Sequence, residues 1–159
     1  MAADTAGTRE NPIPRVAARV LLVDGADRLL LLRGFDPADP AERYWFTVGG
    51  GLDDGESFVD AAVRELFEET GLRFPPEELV GPVRREFTDI PFDGRWYRQE
   101  QEFFVARVVS WEVVLDGLAA EEVACVDGYR WWSVSDLEST TESYYPPDLV
   151  RLFSDILEV

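Results

Sequence analysis

The feature that most constrains this 159-residue chain is a run of three glycines followed closely by a glutamate-rich, helix-forming stretch. Residues 49–51 are all glycine and end the short aromatic and β-branched segment 44–48, which predicts a strand. A helix is predicted to begin near Ser57, because Ser57 and Asp60 have capping-box spacing, and to end at Gly71, a C-cap glycine. The backbone therefore passes from strand to helix through residues that can approach a ligand closely.

Three glutamates of this helix fall on one face of a helical wheel, beside its predicted core stripe. The stripe consists of Val59, Val63, Leu66 and Thr70. Glu65, Glu68 and Glu69 lie next to it, and the i,i+4 pair Glu65 and Glu69 repel each other slightly. Two interpretations stay open from the wheel alone: a solvated acidic face, or a set of oxygen ligands for a hard cation such as Mg²⁺.

Composition restricts the chemistry to carboxylates. The chain has no histidine and one cysteine, Cys125, so an intrachain disulfide is excluded and a structural zinc site is disfavoured. Its 32 acidic and 15 basic side chains give a formal charge of −17, which argues against binding a nucleic acid duplex or an anionic membrane. The lack of a signal-peptide pattern and the single cysteine predict a cytoplasmic protein.

The order of predicted elements favours an α+β fold. Residues 1–14 are predicted to be a flexible leader and residues 15–159 a single domain. Strands are predicted over 16–23, 29–33, 44–48, 79–90, 96–109 and 129–133, and a C-terminal helix over 148–157. Residues 34–43, with two prolines, predict a loop. Strands and helices do not alternate regularly, which disfavours an all-parallel sheet.

The segment from Gly50 to Leu72 resembles the Nudix box. The family pattern is Gly, five residues, Glu, seven residues, Arg-Glu, a bulky aliphatic residue, any residue, Glu-Glu, any residue, Gly and a bulky aliphatic residue. All nine specified positions match, with Gly50, Glu56, Arg64, Glu65, Leu66, Glu68, Glu69, Gly71 and Leu72. Relatives often have proline directly before the glycines, where this chain has Val48.

The resemblance implies a Nudix fold, an α/β/α sandwich around a mixed β-sheet. It implies a hydrolase that cleaves the diphosphate linkage of a nucleoside diphosphate-X substrate by attack of water at phosphorus, with Mg²⁺ or, in its place, Mn²⁺. The implied metal ligands are Glu65, Glu68, Glu69 and the carbonyl of Gly49. Glu56 and Arg64 would pair to orient the loop and the helix, and Gly50 and Gly71 would be structural.

The resemblance does not decide which residue is the general base. The candidate catalytic residues are Glu65, Glu69 and, in a later loop where some relatives carry an essential glutamate, Glu122 beside Glu121. Arg33 stands where relatives can carry a substrate-contacting arginine. Five large aromatic residues are predicted to be core, with base stacking by one of them left open: Trp45, Phe46, Tyr97, Trp131 and Trp132.

Other interpretations remain open at this point. A noncatalytic Nudix-like nucleotide-binding regulatory domain would usually lack box glutamates, and a calcium-stabilised domain would need carboxylates along a loop rather than a helix. Nucleoside triphosphates, nucleotide sugars and dinucleoside polyphosphates are all candidate small-molecule substrates, while the acidic composition argues against RNA. Many members of the family are dimers, so a homodimer also stays open.

Overall fold

The computed structural model describes residues 6–115, 117 and 125–158. Its elements are β1 Ile13–Val23, β2 Leu29–Asp36, β3 Asp39–Gly51, α1 Phe58–Thr70, β4 Val80–Phe92, β5 Arg95–Arg107, β6 Val126–Trp132, α2 Val134–Ser139, β7 Ser143–Tyr145 and α3 Leu149–Leu157. A single 3₁₀ turn, Pro76–Glu78, precedes β4. No helix of the described residues is long and apolar enough to cross a membrane.

The strands form one mixed sheet. β5 pairs in parallel with β1 and antiparallel with β4, which lies at an edge. β3 pairs antiparallel with β1 and β2 and in parallel with β7, while β6 is antiparallel to β2. The sheet is therefore mixed, as the sequence predicts.

Helices cover both faces of this sheet. Successive side chains of a strand point to opposite faces, so β1 sends Val20 and Leu22 toward α1 but Leu21 toward α2 and α3. On the second face, Leu21 joins the fully buried Phe153 and Trp132. The predicted α+β class and α/β/α sandwich are confirmed.

Two predicted boundaries were wrong. β1 begins at Ile13, inside the predicted leader, because Ile13 and Pro14 continue the parallel pairing with Tyr97 and Arg98. Residues 34–43 are mostly strand rather than loop: β2 and β3 form a hairpin in which Phe35 pairs with Arg43. Backbone pairing over this stretch outweighs the two prolines, which lie near the turn, where the register shifts.

The box helix α1 has the predicted ends, but a different buried face. Ser57 Oγ accepts the amide of Asp60 at 3.1 Å, and Gly71 ends the helix with φ 78°. Its buried residues are Ala61, Ala62, Glu65, Leu66, Glu69 and Thr70. The predicted stripe residues Val59 and Val63 are only partly buried. Two glutamates, rather than these valines, therefore occupy part of the helix face that packs against the sheet.

Candidate active site

A salt bridge between Arg64 and Glu56 fixes the loop that precedes α1. Arg64 Nε and Nη2 donate to the two oxygens of Glu56 at 2.8 and 2.9 Å, and Nη2 also donates to the carbonyl of Gly51 at 2.9 Å. The amide of Asp53 donates to Glu56 Oε1 at 2.9 Å. These bonds, those from Arg64 above all, hold the pKa of Glu56 below its usual value. The pair that the box implies is therefore present, and it ties the loop to the helix.

The two innermost box carboxylates lie side by side against the glycine strand. Glu65 and Glu69 are 6% and 2% exposed. The amide of Gly49 donates to Glu69 Oε1 at 3.2 Å, and a Cβ on Gly50 would stand 2.6 Å from Glu65 Oε1. The absence of a side chain at Gly50 thus provides the space that Glu65 occupies.

This burial has an electrostatic cost. Burial raises the pKa of Glu69 well above its usual value, and a hydrogen bond and the negative charge of Glu65 raise it further. Arg19 and the Gly49 amide act in the opposite direction. Two buried carboxylates in contact need a shared proton or a cation to offset their repulsion.

Glu68 shares an Arg64 donor with Glu65 but does not line the cavity. Arg64 Nη1 donates to Glu65 Oε1 at 3.0 Å and to Glu68 Oε2 at 3.2 Å. Within the part of the chain that the structure describes, no three acidic side chains converge closely enough to enclose a cation as they stand. Glu65 and Glu69 are brought together, and Glu68 lies beside them on its own bond to Arg64.

This donor set nevertheless fits Mg²⁺ or Mn²⁺. Carboxylate and carbonyl oxygens are the ligands these ions prefer. The contact between Glu65 and Glu69 is a place where a divalent cation would replace a proton at a gain in free energy. The carbonyl of Gly49, on the adjoining glycine segment of β3, accepts a 3.2 Å bond from Arg19 Nη1.

Two arginines of β1 belong to the same site, although the sequence analysis did not single them out. Arg15 and Arg19 line a cavity together with Glu65 and Glu69. Arg19 also donates to the carbonyl of Thr47, whereas Arg15 has no hydrogen-bond or ion-pair partner among the described residues. Burial lowers the pKa of Arg19, the charges of Glu69 and Glu65 oppose this, and Arg15 lowers it further. The signal that could have found them is a pair of arginines four positions apart, and therefore on one face, in an otherwise apolar strand.

The cavity has a volume of about 650 Å³ and opens between two hairpins. Its apolar lining comes from both of them and from the segment around β7: Phe35, Tyr44, Phe46, Ile90, Pro91, Phe92, Tyr145 and Pro146. The hairpin turns are joined, because the amide of Asp93 donates to Asp36 Oδ1 at 2.7 Å. A single chamber thus combines carboxylates, arginines and aromatic rings.

The other predicted site residues lie elsewhere. Arg33 does not line this cavity; its Nε donates to Asp127 Oδ1 at 2.8 Å, and Asp127 Oδ2 accepts Arg43 Nε at 2.8 Å. Glu121 and Glu122 lie outside the described residues, so their predicted role stays a prediction. Trp45 and Trp132 are core residues packed edge to face at 5.1 Å, whereas Phe46 lines the cavity.

The fold and this site are those of a hydrolase class in which a glycine-bordered helix supplies clustered carboxylates. The chain belongs to the Nudix family: the model of the NUDIX domain matches residues 13–153. The family, the fold and the hydrolase class predicted from the sequence are therefore confirmed, and the chain is a Nudix hydrolase.

Relatives with assigned names agree with this class. The chain is 31% identical over 152 residues to an RNA pyrophosphohydrolase of Caulobacter vibrioides, and the aligned region covers 86% of this chain and 80% of the relative. It is 27% identical over 132 residues to an RNA pyrophosphohydrolase of Sphingopyxis alaskensis, over 78% and 80% of the two chains. Among solved structures, a MutT protein from Methanosarcina mazei shares the fold with a TM-score of 0.66 at 18% identity, over 92% of this chain and 97% of the other.

Proposed function

We propose that this protein hydrolyses a diphosphate linkage in a small nucleotide, with Mg²⁺ or Mn²⁺ as its cofactor. The observation that carries the proposal is the content of one chamber: the buried pair Glu65 and Glu69, the arginines Arg15 and Arg19, and a wall of aromatic rings. Carboxylates suit a cation, guanidinium groups suit phosphates, and aromatic rings suit a nucleobase.

Glu65, Glu68, Glu69 and the carbonyl of Gly49 would hold the cation. When bound, the cation offsets the negative charge of the diphosphate and of the displacement at phosphorus. Glu65 and Glu69 line the cavity, while Glu68 accepts from Arg64 through Oε2 and, among the described residues, through that oxygen alone.

The arginines bind and orient the phosphates. Arg15 faces the glycine strand, since a Cβ on Gly51 would meet its guanidinium at 3.4 Å. Because Arg15 has no carboxylate partner among the described residues, it can form charge-assisted bonds to a phosphate without breaking an existing pair. Arg19 is already fixed by the carbonyls of Thr47 and Gly49, so it supplies a positive charge at a set position.

A carboxylate must accept the proton of the attacking water. Glu65 and Glu69 are the described glutamates of the box that reach the cavity, and both are candidates for the base. Glu122 keeps its place as the alternative base in the later loop. Arg33, which is paired with Asp127 and lies outside the cavity lining, is not assigned a substrate contact in this proposal.

A mononucleotide fits better than a polynucleotide. The two joined hairpins border the chamber, and the charge of −17 opposes the phosphates of a chain. The 5′ end of RNA is the second candidate, because the relatives named above are RNA pyrophosphohydrolases. The noncatalytic alternative has no support, since all the box glutamates are retained.

A substrate panel tests the proposal. ATP, GTP, CTP, UTP, ADP-ribose, diadenosine tetraphosphate and a 5′-triphosphorylated oligoribonucleotide are each incubated with Mg²⁺ or Mn²⁺, and phosphate and mononucleotide release are measured. Glu69→Gln is compared with Glu78→Gln, an exposed glutamate of the 3₁₀ turn. We expect metal-dependent release that Glu69→Gln lowers by about 10²–10³ in kcat and Glu78→Gln leaves unchanged. Release from the oligoribonucleotide alone would favour the RNA end, and no release from any substrate would contradict the proposal.

A further inference from the structure

A buried amide oxygen in the wall of the cavity has no hydrogen-bond donor. Gln99 of β5 lines the cavity and is 1% exposed. Its Oε1 is shielded from water and finds no donor among the described residues. Buried polar atoms are rarely left unpaired, because an unsatisfied acceptor costs free energy. The buried indole N–H groups of Trp45 and Trp132 also have no acceptor among the described residues, but of these three residues Gln99 alone lines the cavity. A ligand in the cavity can supply the missing donor to Gln99 once the shielded amide turns toward it.

A relay of three side chains sets the direction of this amide. Gln101 Nε2 donates to Glu86 Oε1 at 2.7 Å, and Gln99 Nε2 donates to Gln101 Oε1 at 2.7 Å. A carboxylate only accepts, so Glu86 takes the NH₂ group of Gln101. This leaves the oxygen of Gln101 to accept from Gln99, and the oxygen of Gln99 becomes the free end of the relay.

Two arginines reinforce this direction. Arg19 Nε donates to Gln101 Oε1 at 3.5 Å, so reversing the Gln101 amide would place its NH₂ group against another donor. Arg84 Nη1 lies 3.5 Å from Glu86 Oε2 and forms an ion pair with this carboxylate at the start of the relay. Groups on β1 and β4 therefore fix the orientation of the amides so that the unpaired atom of Gln99 is its oxygen, an acceptor.

The wall around Gln99 suits a flat ring. Thr88 pairs with Gln99 across β4 and β5, and Ile90, Pro91 and Phe92 continue the cavity lining along β4. Apolar groups at this spacing offer a surface to the face of a base, while the amide oxygen can meet a donor on its edge. Phosphate oxygens would be repelled there, because an ionised phosphate accepts but does not donate.

We propose that Gln99 Oε1 accepts a hydrogen bond from the exocyclic amino group of the substrate's nucleobase, which makes Gln99 a specificity-determining residue. Glu86 and Gln101 are positioning residues that act through it. The inference rests on the proposed function, since it names which small nucleotides the same cavity prefers.

The test uses nucleotide pairs that differ only in the amino group. ATP is compared with purine riboside 5′-triphosphate, GTP with ITP, and CTP with its analogue lacking the 4-amino group. kcat and KM are measured in Mg²⁺, and Kd by calorimetry, for the wild type, Gln99→Met and Glu86→Gln. Methionine keeps the approximate volume of glutamine without its amide. Glu86 does not line the cavity, so Glu86→Gln changes the relay, and the ion pair with Arg84, without touching the cavity wall.

We expect the wild type to prefer the amino-bearing member of at least one pair by about tenfold, mainly in KM and Kd. Gln99→Met should reduce this ratio to about one, and Glu86→Gln should reduce it partway, because the amide is then free to turn. A merely structural role would weaken both members of a pair equally. Where Gln99→Met does not fold, Glu86→Gln carries the test.

Three results would overturn the inference: no amino preference in the wild type, a preference that both variants retain, or a Gln99-dependent preference for ribose over 2′-deoxyribose instead. Binding that depends on Gln99 without turnover of any nucleotide would contradict the proposed hydrolysis while leaving the inference standing. Turnover without a preference for the amino-bearing nucleotide would support the proposed hydrolysis and contradict the inference about Gln99.

Discussion

One face of the sheet has an apolar core over one half, covered by α2 and α3, and the chamber over the other half, which we call the open half. The same strands contribute apolar residues to the covered half and polar residues to the open half. On β5, Phe103 and Val105 are buried core residues, whereas Gln99 and Gln101 line the cavity. On β1, Leu21 is core, whereas Arg15 and Arg19 line the cavity. The apolar residues contact α2 and α3, and the polar residues lie where these helices do not reach.

The difference separates stability from function. Apolar side chains under the helices lose water and contribute the hydrophobic free energy of folding. The arginines and glutamines of the other half contribute little to that energy and are arranged instead around the cavity. Substitutions in the covered half should therefore change the free energy of unfolding, and those in the open half should change turnover.

The largest effect is expected in the covered half. Phe153→Ala should lower the free energy of unfolding by about 3–5 kcal/mol, because Phe153 is fully buried and its removal leaves a cavity. Denaturant unfolding measures this loss, with Phe87→Ala, at a side chain 66% exposed, as the matched control expected within about 0.5 kcal/mol. If Phe153→Ala lowered kcat per folded molecule with little change in the free energy of unfolding, the covered half would not be limited to a role in stability.

A glycine at the site should show the opposite response. Gly50→Ala places a Cβ 2.6 Å from Glu65 Oε1, the far end of a movable side chain, so the fold should persist while Glu65 is displaced. We expect kcat/KM to fall roughly 10- to 100-fold, the range for displaced groups that support a metal site. Gly128→Ala is the control, because a Cβ there meets nothing within 4 Å. A denaturant midpoint for Gly50→Ala equal to that of the wild type would show that the fold persists. An unchanged kcat/KM would contradict the placement of Glu65.

A smaller effect is expected for the unpaired arginine of the open half. Arg15→Gln should raise KM for the nucleotide about tenfold with a smaller change in kcat, because one charge-assisted bond to phosphate is lost. Arg85→Gln removes the same charge at an exposed position, where Arg85 pairs with Glu100, and should leave KM unchanged. Equal KM values for the two variants would show that Arg15 makes no direct bond to phosphate and affects binding only through the net charge of the protein.

The smallest effect concerns the ion pair between β4 and the start of α3. Arg84 donates to both oxygens of Asp148 at 2.8 Å and holds the pKa of Asp148 below its ordinary value. A depressed folded-state pKa stabilises the protein above the ordinary value of 3.8, and this stabilisation is lost as pH falls further through the folded value. Asp148→Asn should cost about 0.5 kcal/mol at neutral pH, since Asp148 is partly exposed. Chemical unfolding at pH 7 and at pH 3 measures the difference, which should be smaller at the lower pH. An equal cost at both pH values would rule out the ion pair as its source.

Much of the site was predictable because its signals are local. Ser57 and Gly71 mark the ends of α1 through capping chemistry alone, and Glu65 and Glu69 follow from the box between them. The hairpin of β2 and β3 was not predictable from local signals, because its strand pairing is a tertiary effect that overrides the prolines. The three-residue strand β7 is too short to show any alternation.

The polar residues of the open half were hidden by their surroundings. Arg19 stands in a run of valines, leucines and alanines that predicts only a strand, and Gln99 and Gln101 alternate with glutamates as an exposed strand would. Their burial depends on which strands curl over them and on where α3 begins. That information lies in the tertiary arrangement and not in the segment itself.

The central claim is that the buried carboxylates of α1 that line the chamber hold a cation. Mn²⁺ binding to the wild type and to Glu69→Gln, followed by electron paramagnetic resonance during a titration, tests it. Glu78→Gln serves as the charge-matched control. We expect the wild type and the control to bind Mn²⁺ alike, and Glu69→Gln to bind it at least about tenfold more weakly. Equal Mn²⁺ affinity for all three proteins would contradict the assignment of the cation to Glu65 and Glu69.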